Sequence, residues 1–308
     1  MKKSEVKPGV APAPPGDGEF SLIPNNKLLD LYAAMLKCRM IADGIANVTA
    51  DRRNHSLLTS AAVTTGVTID LLASDAISPV LSDLTPCALK GVALKGVALK
   101  TLLRWWAKPS ARVPKVIARA NVIPPAASDA ARLEAALRLA AHFRSTNSGS
   151  VVVFFAGQDT LRSKPSASSS LSRELLESFL SRAAAERLPI LFVLRSDGNA
   201  DDYFPISKQC GLPCMVVDRD DVVAVYRVAS EALTHARRGN GPTLIDSKPW
   251  RLNGHGLKSS EFHNSIGKME LYLAGKGLAY RPAKDRVASE FAVEIGRASY
   301  ANAAAGKA

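Results

Sequence analysis

From residue 150 onward the chain alternates short apolar runs with amphipathic stretches. Val151-Val152-Val153-Phe154-Phe155 is an unbroken apolar run that leads into the small turn Ala156-Gly157-Gln158-Asp159. Pro189 to Leu194, Cys214 to Val217 and Thr243 to Ile245 are further runs of this kind. Short runs without polar alternation are the pattern of strands buried on both faces. Between them lie stretches with a helical period. One covers about 171–187 and carries Leu171, Leu175, Leu176, Phe179 and Leu180. Another starts at a cap formed by Asp220 or Asp221, runs to Arg238 and is stopped by Gly239-Asn240-Gly241. Strands alternating with helices predict an α/β fold, a parallel sheet flanked by helices on both faces. Ligands in such folds bind beyond the carboxyl ends of the strands. Those ends are Ala156 to Asp159, Arg195 to Asn199, Asp218 to Asp221 and Asp246 to His255.

The first half is less regular. Asn25 and Asn26 offer a cap to a helix with Leu28, Leu31, Tyr32, Met35, Leu36 and Ile41 on one side. A second helix is expected over about 60–74. Residues 1–24, with Ala11-Pro12-Ala13-Pro14-Pro15-Gly16, read as a flexible or extended tail. Residues 25–300 read as a single domain and 301–308 as a short tail. The pentapeptide Gly91-Val92-Ala93-Leu94-Lys95 is repeated without change at Gly96 to Lys100. One repeat is too short for a solenoid unit, and about one and a half added helical turns is the simplest reading. Trp105 and Trp106 are expected to pack in a core or interface.

Composition narrows the functional classes. A chain of 308 residues, 47% hydrophobic and 22% charged, is long enough to bury a substantial core. No apolar run approaches the ~20 residues that span a bilayer. The start Met1-Lys2-Lys3 lacks the apolar segment of a signal peptide, and Glu5, Asp17 and Glu19 argue against a transit peptide, so a soluble cytoplasmic protein is expected. Four cysteines are too few for a disulfide framework; Cys210 and Cys214 read as free thiols. The net charge of +12 is spread along the chain, aromatics are 6%, and no nucleic-acid motif is present. Solvated basic faces, or docking to an acidic partner, fit better than nucleic-acid binding. No Gly-x-Ser-x-Gly elbow and no Walker-type loop occur, so hydrolase and NTPase readings lack support.

Several segments, in order, resemble the alpha subunit of the thiamine-diphosphate-dependent 2-oxo acid dehydrogenases of the pyruvate dehydrogenase type. Leu28 to Ile45 is similar to that family's opening helix. Residues 216–246 resemble its V-D-G-N-D-V-x-A-V and R-x-G-x-G-P-T-L-I stretches. Trp250-Arg251-Leu252-Asn253-Gly254-His255 resembles its Y-R-x-x-G-H segment, and residues 266–298 resemble its helical C-terminus. The resemblance implies a thiamine-diphosphate-binding fold with helical N- and C-terminal extensions. It implies thiamine diphosphate and Mg²⁺ as cofactors, a beta-type subunit as partner, and acyl transfer to the lipoyl group of an acyltransferase. The reaction implied is oxidative decarboxylation of a 2-oxo acid, with His255 orienting or protonating the intermediate.

The chain departs from the family where the diphosphate and its metal are held. The family's Gly-Asp-Gly aligns with Ala156-Gly157-Gln158, so the carboxylate position is Gly157. By the resemblance, Gly157, Gln158 and Asp159 line the cofactor loop. The family's Asn region reads Arg195-Ser196-Asp197-Gly198-Asn199, leaving Asp197 and Asn199 as oxygen donors. Which residues ligate the metal stays open. A Tyr-Arg pair that grips the diphosphate aligns with Leu81 and Ser82, and Gly-x-Glu-Ala aligns with Ser60-Ala61-Ala62-Val63. Magnesium requires oxygen ligands, and a guanidinium makes bidentate phosphate contacts. These losses imply weak or absent activity. The alternative is a catalytically inactive paralogue that serves as a scaffold or regulatory subunit.

Overall fold

Five parallel strands form one sheet in the order β1-β2-β3-β5-β4, in a computed structural model that describes residues 23–49, 61–79, 89–90, 97–101, 115–123, 128–156, 171–195, 203–249 and 265–305. The strands are β1 (Ala76–Ser78), β2 (Val152–Ala156), β3 (Ile190–Arg195), β4 (Cys214–Asp218) and β5 (Thr243–Lys248). The helices with assigned bounds are α1 (Asn25–Thr49), α2 (Ala61–Thr68), α3 (Lys115–Arg119), α4 (Asp129–Ser145), α5 (Arg173–Ala185), α6 (Tyr203–Gln209), α7 (Val222–Arg237), α8 (Ser265–Gly275) and α9 (Arg281–Ala305).

Connection handedness sets the layers. The steps from β1 through β2 and β3 to β4 all run in one direction, and the step from β4 to β5 runs back. Right-handed crossovers therefore put α4, α5 and α6 on one face and α7 on the other. The core follows this division. Val152, Phe154, Ala156, Ile190, Phe192, Leu194 and Leu244 pack against Leu133, Leu137, Leu176, Leu180 and Ile206. The alternate residues Val153, Phe155, Leu191, Val193 and Ile245 pack against Val225, Ala229 and Leu233 of α7. Both faces are dry, and the unbroken apolar runs in the sequence reflect that.

Local signals fix the helix ends. The Ser128, Ser172 and Asp221 side chains accept hydrogen bonds from the first-turn amides of α4, α5 and α7. Asp221, and not Asp220, is the cap of α7. Gly239 takes φ 74° just after α7, and the Asn240 amide donates to the His235 carbonyl. In α1, Leu28, Leu31, Tyr32, Met35 and Ile41 are buried as the period predicts, whereas Leu36 is only partly covered. Asn25 and Asn26 are the first residues of α1, not residues before it.

Three expectations change. The second helix ends at Thr68 instead of continuing to about 74, because a turn and then β1 follow. The Leu72 amide donates to Asp75 Oδ2 at 2.8 Å, which pins that turn. The last helix, α9, continues to Ala305, beyond residue 300 where the tail is expected to begin. Within the second copy of the pentapeptide, Val97 and Ala98 are non-helical and helix begins at Leu99, so the copy straddles a helix start. Trp105, Trp106 and the first copy lie outside the described residues.

α2 is buried along nearly its whole length and lies close to α7. A Cβ added at Gly66 would stand 2.5 Å from Val225 Cγ1, so only glycine fits there. Helices α1, α8 and α9 share a polar tie. The Tyr32 hydroxyl donates to Glu270 Oε1 at 2.6 Å, and Lys284 Nζ donates to the same oxygen at 2.8 Å. Burial pushes the Glu270 carboxyl up, but these two bonds outweigh it and hold the carboxyl below its ordinary 4.5. A carboxyl depressed in the folded state takes its proton more readily when unfolded. Its stabilisation is therefore present above pH 4.5 and is lost as pH falls through the folded value. Glu270→Gln is expected to cost about 0.5–1.5 kcal/mol at neutral pH and to flatten the acid limb of stability below about pH 5. Acid unfolding profiles that run parallel for the two proteins would contradict this.

Candidate functional site at the carboxyl end of the sheet

The strand order brings together the stems of the loops singled out in the sequence. β1, which precedes Leu81 and Ser82, pairs with β2, which precedes Gly157, Gln158 and Asp159. β2 pairs with β3, which precedes Asp197 and Asn199, in a register that sets Ala156 beside Leu194. β3 pairs with β5, which precedes His255, with Leu194 beside Asp246 and Arg195 beside Ser247. Four adjacent stems thus leave the same end of the sheet, over roughly 15 Å at the usual strand spacing. Gly157, Gln158, Asp159, Asp197, Asn199 and His255 themselves lie outside the described residues, as do Leu81 and Ser82. Ala61, Ala62 and Val63, aligned with the family's Gly-x-Glu-Ala, are buried in the first turn of α2 and offer no polar side chain.

Two ionic clusters flank these stems. At β1 and β2, Arg132 of α4 is 2% exposed. Its Nη1 donates to the Phe155 carbonyl at 2.8 Å, the Ser78 carbonyl at 3.0 Å and Ser78 Oγ at 3.1 Å. Its Nη2 donates to Asp129 Oδ1 at 3.0 Å, and the guanidinium lies 4.2 Å from the Phe154 ring centre. At β5 and β4, Asp246 is fully buried, with Lys248 Nζ 3.4 Å from its Oδ2. Lys268, in the first turn of α8, donates to Asp218 Oδ2 at 3.2 Å. The amide of Asp220 donates to Asp218 Oδ1 at 3.1 Å. The sequence reading placed Asp218 and Asp246 at strand ends but overlooked Arg132. Its signal was a charge on an apolar helical stripe, with Leu133, Ala136, Leu137 and Ala140 around it.

Among the described residues, no group of three or more His, Cys, Asp or Glu side chains is arranged to hold a metal ion. Cys210 is buried and Cys214 half-buried, as expected, and neither forms a disulfide among the described residues. No helix among the described residues is long and apolar enough to cross a membrane.

Known proteins match both the fold and the site region. A transketolase variant from Pichia stipitis superposes with a TM-score of 0.52 at 12% identity, covering 90% of this chain and 46% of that one. The transketolase of Campylobacter jejuni gives a TM-score of 0.52 at 16% identity, covering 88% and 47%. The fold is therefore of the transketolase-like α/β class. Residues 194–261 match the family model described as dehydrogenase E1 component. The alpha subunit of acetoin:2,6-dichlorophenolindophenol oxidoreductase from Cupriavidus necator is 31% identical over 149 residues, 45% of this chain and 41% of that one. The chloroplastic pyruvate dehydrogenase E1 component subunit alpha-3 of Arabidopsis thaliana is 32% identical over 111 residues, 32% of this chain and 26% of that one. Over these stretches the chain is similar to the alpha subunits of an acetoin oxidoreductase and of a pyruvate dehydrogenase E1 component. It spans 41% and 26% of the length of these two relatives.

Proposed function

We propose that the chain acts as an alpha-type subunit of a 2-oxo acid dehydrogenase, with 25–300 as its working domain and an impaired thiamine-diphosphate site. The observation that carries this reading is the strand order, which sets the stems before Leu81–Ser82, Gly157–Asp159, Asp197–Asn199 and His255 side by side. The alpha-subunit names of the relatives support it. In this reading Asp159, Asp197 and Asn199 offer the remaining oxygens to Mg²⁺, and Gly157 and Gln158 supply backbone to the diphosphate. His255 holds a proton near the reacting carbon, a task suited to a side chain titrating near neutrality. The cofactor, when bound, supplies the electron sink for decarboxylation.

Gly157 has no carboxylate, and Leu81 and Ser82 have no guanidinium, so the hold on a metal-bound diphosphate is weak. The same observation favours the second reading, an inactive paralogue that keeps the subunit surface and serves as scaffold or regulator. A beta-type subunit is the partner in both readings, and a lipoyl acyltransferase is the downstream partner in the first. Co-expression with a beta-type subunit is expected to give a stable complex that reduces a dye acceptor with a 2-oxo acid weakly or not at all. Failure to recover the complex would defeat the subunit reading. Vigorous turnover would defeat the impairment.

A further inference from the structure

β1 stops at Ser78, whose partner in the register is Phe154, while β2 runs on to Ala156. The two strands therefore end out of step, and the Ser78 and Phe155 carbonyls stand at that step. Buried carbonyls need donors. The donor is Arg132, which reaches across from α4 and bonds both carbonyls through a single nitrogen. Burying a guanidinium is costly unless its charge and its N–H groups are met. Here Asp129 meets the charge from within the same helix turn, and the Phe154 ring lies against the cation at 4.2 Å. The Phe154 ring in turn meets Phe192 of β3 edge-on, with ring centres 6.2 Å apart. A planar fork of donors suits this arrangement where a lysine ammonium does not.

We infer that Arg132 is a positioning residue: it fixes the carboxyl ends of β1 and β2 to each other, and so presets the spacing of the two stems that flank the cofactor crevice. The inference rests on the reading that the crevice lies at this end of the sheet. Because the tie is made wholly within the chain, the stems are held whether or not a metal-bound diphosphate spans them.

The test compares wild type with Arg132→Met, which keeps the packing stem, and Arg132→Lys, which keeps the charge but not the fork. Amide hydrogen exchange is followed in peptides covering 76–79 and 152–156, with the carboxyl ends of β4 and β5 as internal reference. Arg132→Met is expected to speed exchange at β1 and β2 at least about tenfold, Arg132→Lys to fall between, and the reference strands to stay within about twofold. Equal exchange in all three proteins overturns the inference, and so does a uniform rise across the sheet. Should Arg132→Met not fold, the same contrast is read in Arg132→Lys. A second arm titrates thiamine diphosphate with Mg²⁺ into the complex with a beta-type subunit. Arg132→Lys is expected to weaken apparent affinity at least about tenfold, and an unchanged affinity overturns the positioning role. If wild type binds none at millimolar cofactor, the cofactor reading fails, and the exchange pattern still decides the role of Arg132.

Discussion

Asp75→Ala is expected to lower the unfolding free energy by about 3–5 kcal/mol. The carboxylate is fully buried at the amino end of the sheet, opposite the candidate site. Oδ1 accepts the Val151 amide, 76 residues away, at 2.8 Å. Oδ2 accepts the Leu72 amide at 2.8 Å and pairs with the guanidinium of Arg237 at the end of α7. The Asp75 carbonyl also accepts from the buried Lys90 ammonium, which bonds the Leu72 carbonyl at 3.1 Å. One side chain thus joins the turn after α2, the start of β2 and the last turn of α7. Alanine leaves two amides without their acceptor and a half-buried guanidinium without its counter-charge, and that penalty exceeds the worth of any single bond. Asp75→Asn retains an acceptor oxygen but loses the charge, and is expected to fall between alanine and wild type. Urea unfolding of the three proteins at neutral pH checks this; a loss under about 1 kcal/mol for alanine would contradict it.

Restoring the missing groups is expected to have the other large effect. The double variant Gly157→Asp with Ser82→Arg should bind thiamine diphosphate with Mg²⁺ about 10²–10⁴-fold more tightly than wild type. Each charged contact regained is worth on the order of 1.5–3 kcal/mol, and about 1.4 kcal/mol corresponds to a decade in affinity. The carboxylate returns a hard oxygen ligand for the metal, and the guanidinium a bidentate contact to phosphate. Each single variant should recover part of the gain. Calorimetry in the presence of a beta-type subunit reads it, and equal affinities for wild type and the double variant would show that the weakness lies elsewhere.

The strands from β2 onward are legible in the sequence because each is a short apolar run bounded by turn residues and covered on both faces. α7 is legible at both ends, through Asp221 and Gly239. β1 is not, because three residues carry no period; it exists through its pairing with β2 and its bridge to Val122. α4 escapes notice for a related reason. Its buried stripe mixes Ala136 and Ala140 with Leu133, Leu137 and Phe143, and Arg132 interrupts it with a charge whose partners lie 23 and 54 residues away. Asp75 is equally opaque, since its acceptor role depends on Val151 and Arg237, brought near only by the sheet and α7. For the candidate site, sequence supplied the loops and the structure supplied the adjacency of their stems. Side-chain chemistry deep in the fold depends on long-range partners, and local patterns do not encode those.

Titration of thiamine diphosphate with Mg²⁺ into the purified chain, alone and with a co-expressed beta-type subunit, tests the impaired site most directly. No saturable heat at micromolar cofactor is predicted in either case. Saturable binding with a micromolar Kd by the wild-type protein would contradict it.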